Sequence, residues 1–287
     1  MNRPATSESS PGSQRDRFEV RILRQDRPEQ ASYWQTFSLA YEPGLNITSV
    51  LQRIAARPMT TEGEQVAPVA YDANCLEEVC GSCTMLINGC VRQACSALVD
   101  RLLSENPEAI ELRPMSKFPV VRDLFVDRRR LFRALEKLHY WVPVDGYYDM
   151  GPGPLQSPQQ QEQAYPLSQC MSCGCCLEAC PQYTQVSLSR DEEESAEAFS
   201  QRQDQEFDRH FIGAAAMSQA VLINSHPTGE STSKARLDAL IAPGGIQNCG
   251  KAGNCQAVCP KEIPLMKSWG RVNRAATLHV IKRFFEG

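Results

Sequence analysis

Thirteen cysteines fall within three short windows of a 287-residue chain. Their spacing limits what the chain folds around more than any other feature. An odd number of thiols in a chain of this length is not a disulfide framework, which belongs to small secreted domains. Clustered thiols in a larger chain point to metal. The charge balance, 30 Lys and Arg against 34 Asp and Glu for a net −4, leaves no basic excess to neutralise phosphates and argues against nucleic acid as a partner. No apolar run approaches the roughly 20 residues of a membrane span. The polar stretch Met1–Ser13 has no apolar signal core.

The first window reads Cys75-Leu-Glu-Glu-Val-Cys80-Gly-Ser-Cys83, with Cys95 further on. This C-x4-C-x2-C…C spacing is that of plant-type [2Fe–2S] sites. Three thiolates come from one loop, and the fourth arrives on the far arm of a hairpin turned by Asn88-Gly89. Gly81 allows backbone amides to approach the sulfides. A zinc knuckle is the plainer alternative, but zinc prefers C-x2–4-C pairs closing a tetrahedron, which four residues followed by two suit poorly.

The second window, Cys170-Met-Ser-Cys173-Gly-Cys175-Cys176-Leu-Glu-Ala-Cys180-Pro181, contains the bacterial ferredoxin run C-x2-C-x2-C-x3-C-P. Spacing selects Cys176 over Cys175. The third, Cys249-Gly-Lys-Ala252-Gly-Asn-Cys255-Gln-Ala-Val-Cys259-Pro260, follows the same template with Ala252 in place of the second cysteine. In two-cluster ferredoxins the fourth cysteine of each run ligates the other cluster. Cys170, Cys173, Cys176 and Cys259 then make a complete set for [4Fe–4S]. Cys180, Cys249 and Cys255 make only three, the number that suits [3Fe–4S]. Cys90 and Cys175 remain as packed or exposed thiols rather than ligands.

Patterning divides the chain. Residues 1–16, rich in Ser, Pro and Arg, read as a disordered tail. Alternation predicts strands over 18–24, 32–41, 83–87, 91–95 and 109–113, with a helix over 46–56. Residues 17–119 thus form a small mixed sheet with one helix. Residues 120–287 read as helical: a long amphipathic helix over 121–141, an irregular stretch over 142–166, and helices over 211–224, 234–241 and 265–285. The acidic run 190–205 reads as a solvated insertion.

With these motifs in place, the chain resembles the iron–sulfur subunits of succinate dehydrogenase and fumarate reductase. The resemblance covers roughly residues 18–285. It rests on the three cysteine windows, on Phe118–Asp123 (FPVVRD) and on Ser225-His226-Pro227. The wording of CLEEVCGSC, INGCVRQAC, Val144-Asp145-Gly146 and Gly151-Pro152-Gly153-Pro154 is most similar to the branch typified by Gram-positive bacterial enzymes. The resemblance implies an α+β chain, with an N-terminal β-grasp plant-type ferredoxin domain followed by an all-α bacterial-ferredoxin-like domain. It also implies a flavoprotein partner carrying FAD and the dicarboxylate site, and a membrane anchor, a di-haem cytochrome b in this branch, with menaquinone as acceptor. The chain would then sit peripherally on the cytoplasmic face of a bacterial inner membrane. In ubiquinone-using members a Trp after the Cys-Pro and a His beside the first three-iron ligand help to form a quinone pocket. Here those places are held by Gln182-Tyr183-Thr184-Gln185 and Gly250, which argues against a pocket of that design.

The residues agree with an electron wire rather than a catalyst. The four His are scattered, and no Gly-rich dinucleotide fingerprint occurs. Two other classes share some of these features. A soluble ferredoxin-like carrier would have the clusters but no anchor. A zinc-binding module would be colourless.

Overall fold

The computed structural model describes residues 16–142 and 155–286. The expected tail, apart from Asp16, and the Val144–Gly146 and Gly151–Pro154 motifs lie outside the described residues.

Alternation produces the first sheet. Strand β1 (Arg17–Arg24) turns Phe18, Val20 and Ile22 inward and pairs antiparallel with β2 (Tyr33–Ala40). Helix α1 (Ile47–Ala56) is capped by Asn46, whose Oδ1 accepts the Ser49 N–H at 2.8 Å. Its buried Ile47, Val50, Leu51 and Ile54 recur at helical spacing and share a core with Val20, Ile22 and Phe37. Strands β3 (Thr84–Ile87) and β4 (Cys90–Gln93) form the expected hairpin. Asn88 (φ 49°) and Gly89 (φ 77°) supply the two left-handed residues its tight turn needs. A short helix α2 (Val99–Glu105), absent from the sequence reading, leads into β5 (Ile110–Arg113). Among the described residues five strands join in the order β2-β1-β5-β3-β4, with β1 and β5 parallel at the centre. This is the β-grasp sheet expected, and it brings both arms of the β3–β4 hairpin to one edge.

The expected long helix over 121–141 is not formed. Strands β6 (Val120–Arg122) and β7 (Phe125–Val126) make a small hairpin, and helix α3 spans only Arg129–Lys137. The cause is a buried charge. The inward face of β1 ends on Arg24, 1% exposed, and Asp123, 0% exposed, answers it. Arg24 donates to Asp123 through Nε at 2.8 Å and Nη2 at 3.0 Å. The same carboxylate accepts the backbone N–H of Ala70 at 2.8 Å and of Gln25 at 3.2 Å. Asp123 holds φ 48° to do so, which no helix permits. Removing one partner of such a pair leaves an uncompensated buried charge. Asp123→Ala is therefore expected to destabilise the folded chain by about 3–5 kcal/mol, read as a lowered denaturation midpoint. Asp123→Asn should cost less, since one acceptor oxygen survives.

The second half is helical. Within the stretch read as irregular, Pro158–Ser168 forms helix α4, opened by a reciprocal capping box between Ser157 and Gln160 with Pro at the first position. Two one-turn helices follow the cysteine loops, α5 (Cys175–Glu178) and, later in the chain, α9 (Asn254–Ala257). Part of the expected solvated insertion belongs to helix α6 (Ala196–Arg209). It is largely exposed but buries Gln203 and Phe207, and its Asp208 accepts from Arg133 of α3 at 2.6 Å. Helix α7 (Gly213–Ser225) is buried along most of its length and forms the centre of this half, with α4, α8 (Ser233–Ile241) and α10 (Leu265–Glu286) packed round it. The two cores interleave at the junction: Met115 and Phe118 belong to the second, Leu124 to the first. No helix among the described residues is long and apolar enough to cross a membrane.

Candidate iron–sulfur centres

Each cysteine window becomes a loop whose backbone, as well as its sulfurs, faces inward. In the first, Leu76 (φ 62°), Glu78 (φ 55°) and Gly81 (φ 71°) take left-handed conformations. Such turns aim successive N–H groups into one concavity, an anion-binding nest. Cys75 Sγ accepts from the amides of Glu77, Val79 and Cys80 at 3.3–3.4 Å. Cys80 Sγ accepts from Cys75 and Ser82 at 3.5 Å. Burial would raise the Cys80 thiol, but its hydrogen bonds with Ser82 and Cys75 bring it down to about 6. Cys83 and Cys95 lie deeper. Burial pushes Cys83 up to about 11, with Cys95 beside it. The loop thus favours negative sulfur at its rim and offers two buried thiols that metal coordination would deprotonate. Four thiols, a nest of amides and a dry floor suit an anionic [2Fe–2S] cluster.

The second and third windows repeat one backbone. Ser172 (φ 52°) and Gly174 (φ 86°) precede α5, and Lys251 (φ 58°) and Gly253 (φ 78°) precede α9. Ala252 therefore occupies, residue for residue, the place of Cys173. The loops are joined across their pseudo-symmetry: Asn254 Nδ2 donates to the Ala179 carbonyl at 3.1 Å. One cavity is lined by Cys170, Cys173, Cys175, Cys176 and Cys259, closed by apolar Ala215, Ile263 and Leu265. A second is lined by Cys180, Cys249 and Cys255, together with Ala252. The last cysteine of each run thus faces the other run's cavity. Cys176 is buried, and its thiol is pushed well above its ordinary value by burial and then by neighbouring thiol charge. Cys175 is also buried, and Cys90 is exposed.

Gln182 borders the second cavity and lies over Gly250, where a Cβ would come within 2.9 Å of its Nε2. Tyr183 turns the other way, 1% exposed in the core, with Arg130 stacked 3.9 Å over its ring.

The first and second loops touch directly. A Cβ on Gly81 would meet Cys173 Cα at 2.7 Å and the Met171 carbonyl at 2.8 Å, so only glycine allows this approach. Arg128 clamps the seam by donating to the carbonyls of Gly81 at 2.7 Å and Ser82 at 2.5 Å. Gln93, buried on β4, links Thr84 and Cys175. No local sequence motif marks either residue, because the partners of each lie in another window.

Comparison with known proteins agrees with this geometry. Residues 19–133 match the family described as 2Fe-2S iron-sulfur cluster binding domain, and residues 166–263 the 4Fe-4S dicluster domain. The chain is 45% identical over 264 residues to the succinate dehydrogenase iron-sulfur subunit of Bacillus subtilis (strain 168), covering 92% of this chain and 94% of that one. It is 26% identical over 262 residues to the fumarate reductase iron-sulfur subunit of Wolinella succinogenes, covering 89% and 95%. A chain of the Mycobacterium smegmatis Sdh1 complex in the apo form shares the fold, with a TM-score of 0.65 at 19% identity over 91% of this chain and 95% of that chain. With both cluster-binding domains in order and near-full-length identity of this size, the chain belongs to the iron–sulfur subunits of succinate dehydrogenase, the electron-transfer subunits of that complex.

Proposed function

We propose that this subunit is a three-centre wire joining the FAD of a flavoprotein subunit to haem and quinone in a membrane anchor. It would run toward quinone in succinate oxidation and in reverse as a fumarate reductase. Cys75, Cys80, Cys83 and Cys95 would hold [2Fe–2S]. Cys170, Cys173, Cys176 and Cys259 would hold [4Fe–4S], and Cys180, Cys249 and Cys255 would hold [3Fe–4S]. When bound, such clusters take up and release single electrons. The chain's own part is to supply thiolates, to aim amide N–H groups at sulfur and to exclude water, which together set each potential. Residues 17–119 would serve the first centre and 120–287 the other two, with 1–16 as a tail and 190–205 as an insertion.

The observation that carries this reading is the sorting of sulfurs in the second half. Cys259 lines the cavity of the second window and Cys180 that of the third, where Ala252 leaves one corner without a thiol. The acceptor side is read as menaquinone with a di-haem cytochrome b anchor. Its support is the wording of CLEEVCGSC and INGCVRQAC, most similar to that branch; Gly250 beneath Gln182 argues only against a ubiquinone pocket of the Trp-and-His design. The placement follows: peripheral, on the cytoplasmic face of a bacterial inner membrane, held there by the anchor.

Electron paramagnetic resonance of membranes carrying the complex, oxidised and then reduced with dithionite, tests the set. A three-iron resonance when oxidised, replaced on reduction by binuclear and cubane signals, is expected. Absence of the oxidised resonance in protein that shows the other two would remove the three-ligand assignment.

A further inference from the structure

Three arginines in succession lead into α3, and they find different partners. Arg129 is exposed and pairs with Asp127 at 2.6 Å. Arg130 is buried, stacked over the Tyr183 ring and bonded to the Thr184 and Phe211 carbonyls. Arg128 is half-buried and turned back to the first half of the chain. Its Nη1 donates to the Gly81 carbonyl at 2.7 Å and its Nη2 to the Ser82 carbonyl at 2.5 Å. Those two residues separate Cys80 from Cys83, and Gly81 rests on Cys173 of the second window. The guanidinium thus sits where two ligand loops meet, on a groove that Cys80, Ser82, Met171 and Ser172 also line.

A guanidinium keeps its proton at every pH the protein meets. Carbonyl oxygens satisfy its N–H groups but do not cancel its charge. Arg24 shows how this chain cancels a buried cation, with both oxygens of Asp123. Arg128 has no such partner. Among the described residues no carboxylate forms an ion pair with it, and Asp72, on the same groove, attracts it only from a distance. Burying a charge without a counter-charge is costly. The polypeptide leaves that charge unanswered at the seam, and the loaded loops would answer it. A cluster held by four thiolates is anionic, and reduction makes it more so.

We propose that Arg128 is a fixed positive charge shared by the first two centres, which stabilises the reduced state of both and so raises both potentials together. This rests on Cys80 and Cys83 being [2Fe–2S] ligands and Cys173 a [4Fe–4S] ligand. A partly buried charge is less screened by water and salt than a surface one, so its attraction for an added electron is felt at both sites. The two carbonyl bonds hold the charge at a set place on the seam. Raising both potentials eases the entry of an electron from the flavin without steepening the step between the two centres.

The test is redox titration of the assembled complex, followed by electron paramagnetic resonance. Arg128→Gln keeps an N–H donor but removes the charge, and both the binuclear and the cubane midpoints should fall, with the three-iron midpoint unmoved. Arg128→Lys keeps the charge but loses the forked grip, and both midpoints should hold even if the complex melts at a lower temperature. Arg129→Gln removes an exposed, already paired charge one residue away and should move neither. Unmoved midpoints in Arg128→Gln, or a fall of the binuclear midpoint alone, would overturn the proposal. So would an equal fall in Arg128→Lys, which would make Arg128 a clamp whose charge is incidental; this arm decides the matter where Arg128→Gln fails to assemble. An equal fall in Arg129→Gln would also overturn it, by showing an effect of net charge rather than of the seam. Unsubstituted complex without a binuclear or a cubane signal would defeat the ligand assignment, and the proposal with it, before any substitution is made.

Discussion

Ala252→Cys is expected to abolish the oxidised three-iron resonance and to lower the potential of that centre. The backbone around Ala252 repeats the one around Cys173, with Lys251 and Gly253 holding the left-handed conformations of Ser172 and Gly174. Ala252 lines the same cavity as Cys180, Cys249 and Cys255. A thiol built there therefore faces the corner that the run leaves open, and it should recruit a fourth iron. The added thiolate brings negative charge that disfavours reduction, so the potential falls. The last relay step then runs uphill. Succinate–quinone turnover should slow severely, while reduction of the flavin by succinate stays near normal. The spectrum of air-oxidised membranes, together with the two rates measured separately, checks this. A folded variant whose oxidised spectrum is unchanged would count against the three-ligand site.

Cys176→Ser is expected to lose the cubane signal, and Cys175→Ser to retain all three. The residues are neighbours at the start of α5, both buried. Steric damage is thus a shared control. Their surroundings differ. Cys176 lies among Cys170, Cys173 and Cys259, whose charges act on it. Cys175 has a Cys173 contact but also reaches back to Gln93 of the first half. Serine offers a poor iron ligand at position 176. At position 175 it keeps an O–H where an S–H stood, so the contact with Gln93 survives. Loss of the cubane in the Cys175 variant with the Cys176 variant intact would reverse the assignment.

The features legible in the residues alone are local. Ligand spacing is a property of a dozen residues, so the windows at Cys75–Cys95, Cys170–Cys180 and Cys249–Cys259 carry their cluster-type spacings, and Ala252 its departure from the run, in the sequence itself. The same holds for the alternation of β1, the stripe of α1 and the Asn88-Gly89 turn, each of which follows from backbone preference within a few residues. Helix α4 is signalled by Ser157-Pro158-Gln159-Gln160, a capping box with proline at its first position, although its Gln-rich sequence has little apolar periodicity.

Where buried polar groups find partners, by contrast, is settled only when distant segments pack together. Residues 121–141 have helical periodicity, but Arg24, 99 residues from Asp123, requires that carboxylate in a hairpin. A desolvated charge outweighs the few tenths of a kcal/mol per residue that helix propensity offers. The seam between the first two loops is of the same kind. Gly81 against Cys173, Arg128 on the Gly81 and Ser82 carbonyls, and Gln93 between Cys83 and Cys175 join residues from separate windows. No periodicity or spacing encodes such contacts, because each exists only once two loops far apart in sequence are packed together and their backbone groups cut off from water.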